Sequence, residues 1–224
     1  MAILGNVHHN LDYHVYQAVK EMIISRKLAP GMKILQDNLA KELGISRTPL
    51  VNALKRLEHE KLILAVSRRG YFVRLFTQLE MIQIFEIREV LEGLTARRTA
   101  IQGTDEQLKR VGRFFAEFQG KDLLGDVKRY AREDREFHNY LISAGEAGMI
   151  TDLLDSFNFI TLSYQLTSQE GLVRPPKKTY AEHIAIIKAI QKRDGDQAER
   201  LMRRHIRISL KWLEKQVYNN KPAV

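Results

Sequence analysis

The sequence predicts a mainly α chain: three helices and a β-hairpin forming a winged helix-turn-helix, followed by an all-α antiparallel helical bundle. Three observations lead there. Apolar residues recur at spacings of three and four along nearly the whole chain. The exception is a stretch from 62 to 75, where branched and aromatic residues flank a Ser-Arg-Arg-Gly turn. Breaks of the type GT, QGK, AGEAG, VRPP and RDGD then cut the remainder into helix-sized pieces.

In chain order, Val15, Val19, Met22 and Ile23 form one face of a helix from about 13 to 28, stopped by Pro30 and Gly31. A short helix from 36 to 43 turns Leu39, Ala40 and Leu43 inward, and Gly44 suits the left-handed residue that ends it. Ser46 reads as an N-cap for a third helix, RTPLVNALKRLEHEKL, in which Leu50, Ala53, Leu54 and Leu57 share a face and Pro49 falls in the permissive first turn. Strands are expected at 62–66 and 71–75 around the SRRG turn. Helices are then expected near 78–101, 105–118, 122–144, 148–167, 179–193 and 196–217. The domain boundaries that follow are 1–76, 77–218 and a frayed tail at 219–224.

The chain has 224 residues, 44% of them hydrophobic, enough for two cores. Its formal charge is +9, and residues 1–75 carry 12 basic against 6 acidic side chains, so the N-terminal third is the better partner for a polyanion. An acidic membrane surface would also satisfy that charge. There is no cysteine, which excludes disulfides, thiolate zinc sites and a cysteine nucleophile. With no export signal and no apolar run of about 18 residues, a cytoplasmic location without membrane contact is expected.

In a helix-turn-helix the second helix of the pair enters the major groove by its N-terminus. Ser46, Arg47 and Thr48 stand there, Lys55 and Arg56 continue the basic lining, and Arg68, Arg69 and Gly70 form the wing tip. These are the candidate DNA contacts, with double-stranded DNA as the partner. Any one of these cations alone would equally serve as solvated surface charge.

In the C-terminal part, Asp134 and His138 lie four apart in REDREFHNYL, on one helical face. A surface ion pair would use the same spacing. His183 and His205, however, each lie 11 residues from Asp194 in the RDGD turn. If the helices on either side pack antiparallel, both imidazoles sit about 16 Å from the turn and can share a ligand. One carboxylate and three imidazoles suit a borderline divalent ion, Zn²⁺ or Ni²⁺, with open positions for water or an anion. A histidine bonded to backbone within the core is the alternative for His183, which has Ile184, Ile186 and Ile187 around it.

The segment QDNLAKELGISRTPLVNALKRLEHEKLI followed by RRGYFV resembles the GntR superfamily of bacterial regulators. The family's Arg-Glu pair after the SRTP segment is replaced here by Val51 and Asn52, and Asp37 stands where some members carry a DNA-contacting arginine. The stretches IREVLEGLTAR, DREFHNYL and AEHIAIIKAIQKRDGDQAERLMRRHI resemble the FCD ligand-sensing domain of the FadR-like subfamily. That resemblance implies a homodimeric, ligand-responsive transcription factor, usually a repressor. It implies metal ligation by Asp134, His138, His183 and His205, and Arg88 facing the cavity to grip a small carboxylate effector. A salt bridge from Arg88 to Glu92 is the competing reading. A metal-dependent hydrolase would need a general base in a defined motif, and none stands out, so the chain is expected not to be an enzyme.

Overall fold

The computed structural model describes residues 5–119, 126–145, 154 and 172–219. The chain divides into two compact units, one ending at Phe76 and the other beginning at Thr77.

In the first unit, α1 (Gly5–Ile24) and α2 (Gln36–Leu43) pack on α3 (Arg47–His59), which also meets a small sheet. Val15, Tyr16, Val19, Met22 and Ile23 of α1 are buried, and α1 packs on α3, whose Leu50, Ala53, Leu54 and Leu57 form the opposing apolar face. Gly44 ends α2 at φ 65°, in the left-handed region that favours glycine. Ser46 occupies the N-cap position of α3 with an extended backbone, but its hydroxyl makes no capping bond.

The sheet is antiparallel with three strands in the order β1 (Lys33–Ile34), β3 (Gly70–Val73), β2 (Ile63–Val66). The expected hairpin is present, with Leu64 opposite Phe72 and Val66 opposite Gly70. The wing turn uses two left-handed residues, Arg68 at φ 61° and Gly70 at φ 91°. Strand β1, which pairs Ile34 with Tyr71, is an addition to the expected pattern. Two residues are too few to show alternation along the sequence.

The second unit is helical among its described residues: α4 (Gln78–Gln102), α5 (Asp105–Val111), α6 (Val127–Ala144), α7 (Pro176–Gln191) and α8 (Gly195–Asn219). Thr77 and Glu80 close a capping box at the start of α4, and Thr104 and Gln107 do the same for α5. Helix α4 packs most extensively on α8 and also meets α6 and α7.

Three elements differ from expectation. Helix α1 begins well before residue 13. The helix expected over 105–118 stops at Val111, giving way to turns and a short 3-10 helix, Ala116–Phe118. The cause lies at Phe115, held at φ 61° with its backbone N–H donating to the Glu133 carboxylate at 2.9 Å. Third, α7 starts at Pro176, because proline at the first helical position loses no hydrogen bond. The helix expected at 148–167 lies, apart from Leu154, outside the described residues, as does the tail after Asn219. No helix among the described residues is long and apolar enough to cross a membrane.

Candidate functional site

Two sites can be assembled, one in each unit. On the first unit, Arg47, Thr48 and Lys55 are exposed along α3, with Ser46 at its N-cap and Arg68 and Arg69 exposed at the wing. The Arg47 Nε lies 3.5 Å from a carboxylate oxygen of Asp37, so α2 and α3 meet at this corner through an exposed ion pair. Arg56, also exposed on α3, has partners within the first unit. Its guanidinium lies 4.1 Å from the centre of the Tyr16 ring and its Nε is 3.3 Å from Glu60, which draws it against α1. Arg69 lies over the Phe72 ring at 5.4 Å, within its own hairpin. Asn52, where the family pattern has a charged residue, donates to Asp12 at 3.0 Å.

In the second unit, the RDGD turn works as its spacing requires. Arg193 takes a left-handed backbone at φ 58°, and Asp194 accepts from the Gln197 N–H to cap α8. Helices α7 and α8 pack against each other. His183 and His205 consequently meet, with ring centres 4.5 Å apart, and His138 of α6 joins them at 5.6 and 5.4 Å. The candidate ligand nitrogens of the three rings all lie within 4.8 Å of one another, and all three residues are buried. Asp134 closes the group, its carboxylate 3.4 Å from His183 Nε2.

The Nδ1 atom of each ring lies against an oxygen partner. His138 Nδ1–H donates to Glu92 at 2.5 Å, and His205 Nδ1–H donates to Glu182 at 2.7 Å. His183 Nδ1 lies 3.0 Å from the Tyr130 hydroxyl, which is 2.8 Å from Thr179 Oγ1, and Thr179 donates to the Pro176 carbonyl. Because the Thr179 proton is committed there, Tyr130 donates to Thr179 and accepts from His183. With the proton on Nδ1 each imidazole leaves Nε2 for a ligand; at His205, whose Nδ1 also lies 3.3 Å from Arg174 Nη2, the closer Glu182 carboxylate favours that tautomer. Outer partners orient metal-binding histidines in this way.

Among the described residues, His183 Nε2 is the buried side-chain polar atom left with no hydrogen-bond partner. Leaving such an atom unpaired costs about 1–3 kcal/mol. His183 is fully enclosed and stacked on Phe115 at 4.5 Å, with Phe137 edge-on, so water has no open route to it from that side. Burial, with His205, His138 and Arg174 adding to it, pushes its pKa well below the usual histidine value. The ring is thus neutral, with an unused lone pair. That donor set fits a divalent ion of the zinc and nickel type.

The electrostatics around the cluster are balanced by carboxylates. Burial raises the Glu92 pKa, but Arg88 and His138 outweigh it and bring the carboxyl down to about 2. Glu182 is likewise brought to about 2, against the effect of burial, by hydrogen bonds from Arg174 and His205. For His138, desolvation is overcome by Glu92, so its pKa is raised.

Beside the histidines lies a cavity of ≈ 70 Å³ lined by Phe85, Arg88, Asp134, His138, Arg174 and Ser209, among others. Arg88 thus reaches the cavity, and at the same time its Nε donates to Glu92 at 2.7 Å within a buried pair. Arg88 therefore borders the cavity while it is paired with Glu92.

Four contributors were not foreseen. Tyr130 was legible in retrospect, since Tyr130, Asp134 and His138 follow at i, i+4 and i+8 on one face of α6. Thr179 carries the same signal, four residues before His183 on α7, whereas Glu182 and Arg174 carry none, and Arg174 lies in the segment ahead of α7.

Comparison with known proteins agrees with this architecture. Residues 11–73 match the family model described as bacterial regulatory proteins, gntR family, and residues 83–208, more than half of the chain, match the FCD domain. The chain belongs to the FCD-containing branch of the GntR family of transcriptional regulators. Among the regulator's relatives is the HTH-type transcriptional repressor RspR of Escherichia coli, 24% identical over 196 residues, covering 88% of this chain and 86% of that one. Another is the gluconate operon transcriptional repressor of Bacillus licheniformis, 25% identical over 178 residues and covering 78% and 73%. E. coli McbR/YncC shares the fold with a TM-score of 0.73 at 16% identity, over 92% of this chain and 98% of its own. A GntR regulator from Rhodococcus sp. RHA1 aligns at TM-score 0.71 and 18% identity, over 94% and 99%. The regulator is a DNA-binding protein of transcription control and not an enzyme.

Proposed function

We propose that the regulator is a cytoplasmic, homodimeric repressor whose affinity for its operator is set by a small carboxylate bound beside a divalent ion in the helical unit. Asp134, His138, His183 and His205 would hold Zn²⁺ or Ni²⁺. Such an ion would supply a Lewis-acidic, positively charged anchor with open positions for the effector's oxygen atoms. Arg88, on the cavity wall, would take a carboxylate through its guanidinium.

The observation that carries this reading is the uniform commitment of the three Nδ1 atoms to oxygen partners while the enclosed His183 Nε2 has none. A core histidine satisfied by backbone would use both nitrogens or turn one toward solvent. On the DNA side, Ser46, Arg47, Thr48 and Lys55 would line the major groove, with Arg68, Arg69 and Gly70 at the neighbouring backbone or minor groove. Two relatives bear the name repressor, which supports the direction of control. Exposed Leu79, Ile87 and Val90 along α4 support burial of that helix against a second copy.

The test is the metal content of the purified chain and of His183→Gln, measured by mass spectrometry after exposure to zinc and nickel and removal of excess. About one equivalent per chain is expected for the wild type, with loss in the variant while circular dichroism stays helical. Equal content in both would overturn the assignment.

A further inference from the structure

We propose that the groove between α4 and α8 is a second ligand site, separate from the histidine cavity, that takes a compact oligophosphate. The chemistry it reads is a short chain of phosphates, free or carried on a nucleotide.

The groove has a volume of ≈ 600 Å³ and is lined by Arg97 of α4 and by Arg200, Arg203, Arg204, Arg207 and Lys211 of α8. Positions 200, 204, 207 and 211 recur at spacings of three and four, so they form one stripe about 16 Å long at roughly 1.5 Å per residue. His205 of the same helix is buried in the histidine cluster, whereas Arg204 and Arg207 on either side of it in sequence are exposed. A Cβ at Gly93 would come to 2.5 Å from Arg203 Cγ, so the glycine is what lets the stem of Arg203 lie against α4.

Three of the six cations are held by carboxylates. Arg97 pairs with Asp196 at 2.7 Å and Glu199 at 3.4 Å, Arg203 with Glu89 at 3.5 Å and Glu199 at 3.6 Å, and Arg207 with Glu89. The other three have no carboxylate among the described residues: Arg200 donates to the Gln197 side-chain oxygen at 2.8 Å, and Arg204 and Lys211 have no polar partner there. Six cations against Asp196, Glu199 and Glu89 leave an excess of three positive charges along the groove. An anion that bridges them relieves their mutual repulsion. Guanidinium forks bind phosphate oxygens through paired hydrogen bonds, and five of the six cations are arginines. An oligophosphate spreads its charge along a short chain and so reaches several of them at once, which a single phosphate does not. The volume falls within the roughly 300–1,000 Å³ of small-molecule pockets, so a compact ligand fits the groove better than the outer surface of a duplex does.

The experiment is isothermal titration of the full chain at low, fixed salt with inorganic tripolyphosphate, orthophosphate, citrate and ATP. Tripolyphosphate is expected to bind about tenfold or more tightly than orthophosphate or citrate. The decisive variant is Arg204→Gln with Lys211→Gln, which breaks no ion pair and should stay as helical as the wild type by circular dichroism. It should bind tripolyphosphate about tenfold more weakly. Lys109→Gln with Lys192→Gln removes the same charge from exposed positions of the second unit outside the groove and should leave that affinity unchanged. Equal affinity for ATP and tripolyphosphate assigns the site to the phosphate chain alone, and tighter binding of ATP assigns it to nucleotides. Undiminished binding in the Arg204, Lys211 variant would place the anion elsewhere, at α3, the wing or the histidine cluster, and overturn the proposal. Equal losses in the two double variants, or orthophosphate or citrate binding as well as tripolyphosphate, would reduce the groove to a diffuse charge effect and also overturn it. If tripolyphosphate does not bind while the groove variant weakens binding to a random duplex, the surface serves nucleic acid and the oligophosphate assignment fails.

Discussion

Replacing Tyr130 by phenylalanine removes a single oxygen and tests the arrangement of the histidine cluster. The Tyr130 side chain is fully buried, and its hydroxyl joins His183 Nδ1 at 3.0 Å to Thr179 at 2.8 Å. Without it, the Nδ1–H either remains unpaired or the proton moves to Nε2 and occupies the ligand position. The loss of an outer-shell partner to a metal-binding histidine costs about 10–100-fold in affinity. That corresponds to about 1.4–2.8 kcal/mol at about 1.4 kcal/mol per tenfold change. The assay is competition for zinc against a chromophoric chelator, with thermal melts in excess chelator run alongside. The account predicts weaker zinc binding by that factor, with Thr179→Val in the same direction and smaller because Tyr130 keeps its bond to His183. Unchanged zinc affinity in Tyr130→Phe would refute the tautomer argument. A lower melting temperature alone, equal with and without zinc, would reduce Tyr130 to a packing role.

On the DNA face, Arg47→Ala should relax base discrimination by about 1–3 kcal/mol at one position of each half-site. Lys55→Ala should instead weaken binding to all sequences and lower the salt slope by about one. Anisotropy titrations across a salt series on matched and mismatched duplexes separate the two. Arg56→Ala, whose side chain is drawn onto Tyr16, should lower the stability of the first unit more than it changes the salt slope. For pH, hydrogen bonds from Arg207, with those from Arg203, hold the Glu89 carboxyl below its usual range despite burial. A carboxylate whose folded pKa is depressed contributes stability above its unfolded pKa near 4.5, and that contribution is lost as pH falls through the folded value. Urea melts of Glu89→Gln should therefore show a deficit at pH 7 that shrinks on acidification below about 4.5; a deficit independent of pH would contradict the pairing.

The parts legible in the sequence were those with local causes. The periodicity around Leu50, Ala53, Leu54 and Leu57 and the left-handed Gly44 located α2 and α3 without tertiary information. The symmetric placement of His183 and His205 about Asp194 foretold their meeting, because two helices joined by a tight turn leave few alternatives. What failed depended on distant partners. Helix α5 ends early because Glu133, on another helix, captures the Phe115 N–H, and that bend lays Phe115 on His183. The pairing of Arg56 with Tyr16 and Glu60 spans two helices. Arg174 is defined by Glu182, Ser209 and His205, which lie 8 to 35 residues away along the chain. Spacing rules describe one element at a time and cannot supply such contacts.

The most direct test of control by ligand is the affinity of the full chain for an operator recovered from randomised duplexes, measured by anisotropy at fixed salt. It would be measured with chelator, with zinc, and with zinc plus a carboxylate already shown to bind by calorimetry. The account predicts salt-dependent, sequence-specific binding that changes about 5–150-fold between the zinc form and the zinc–carboxylate form. Identical operator affinity in those two forms would contradict it.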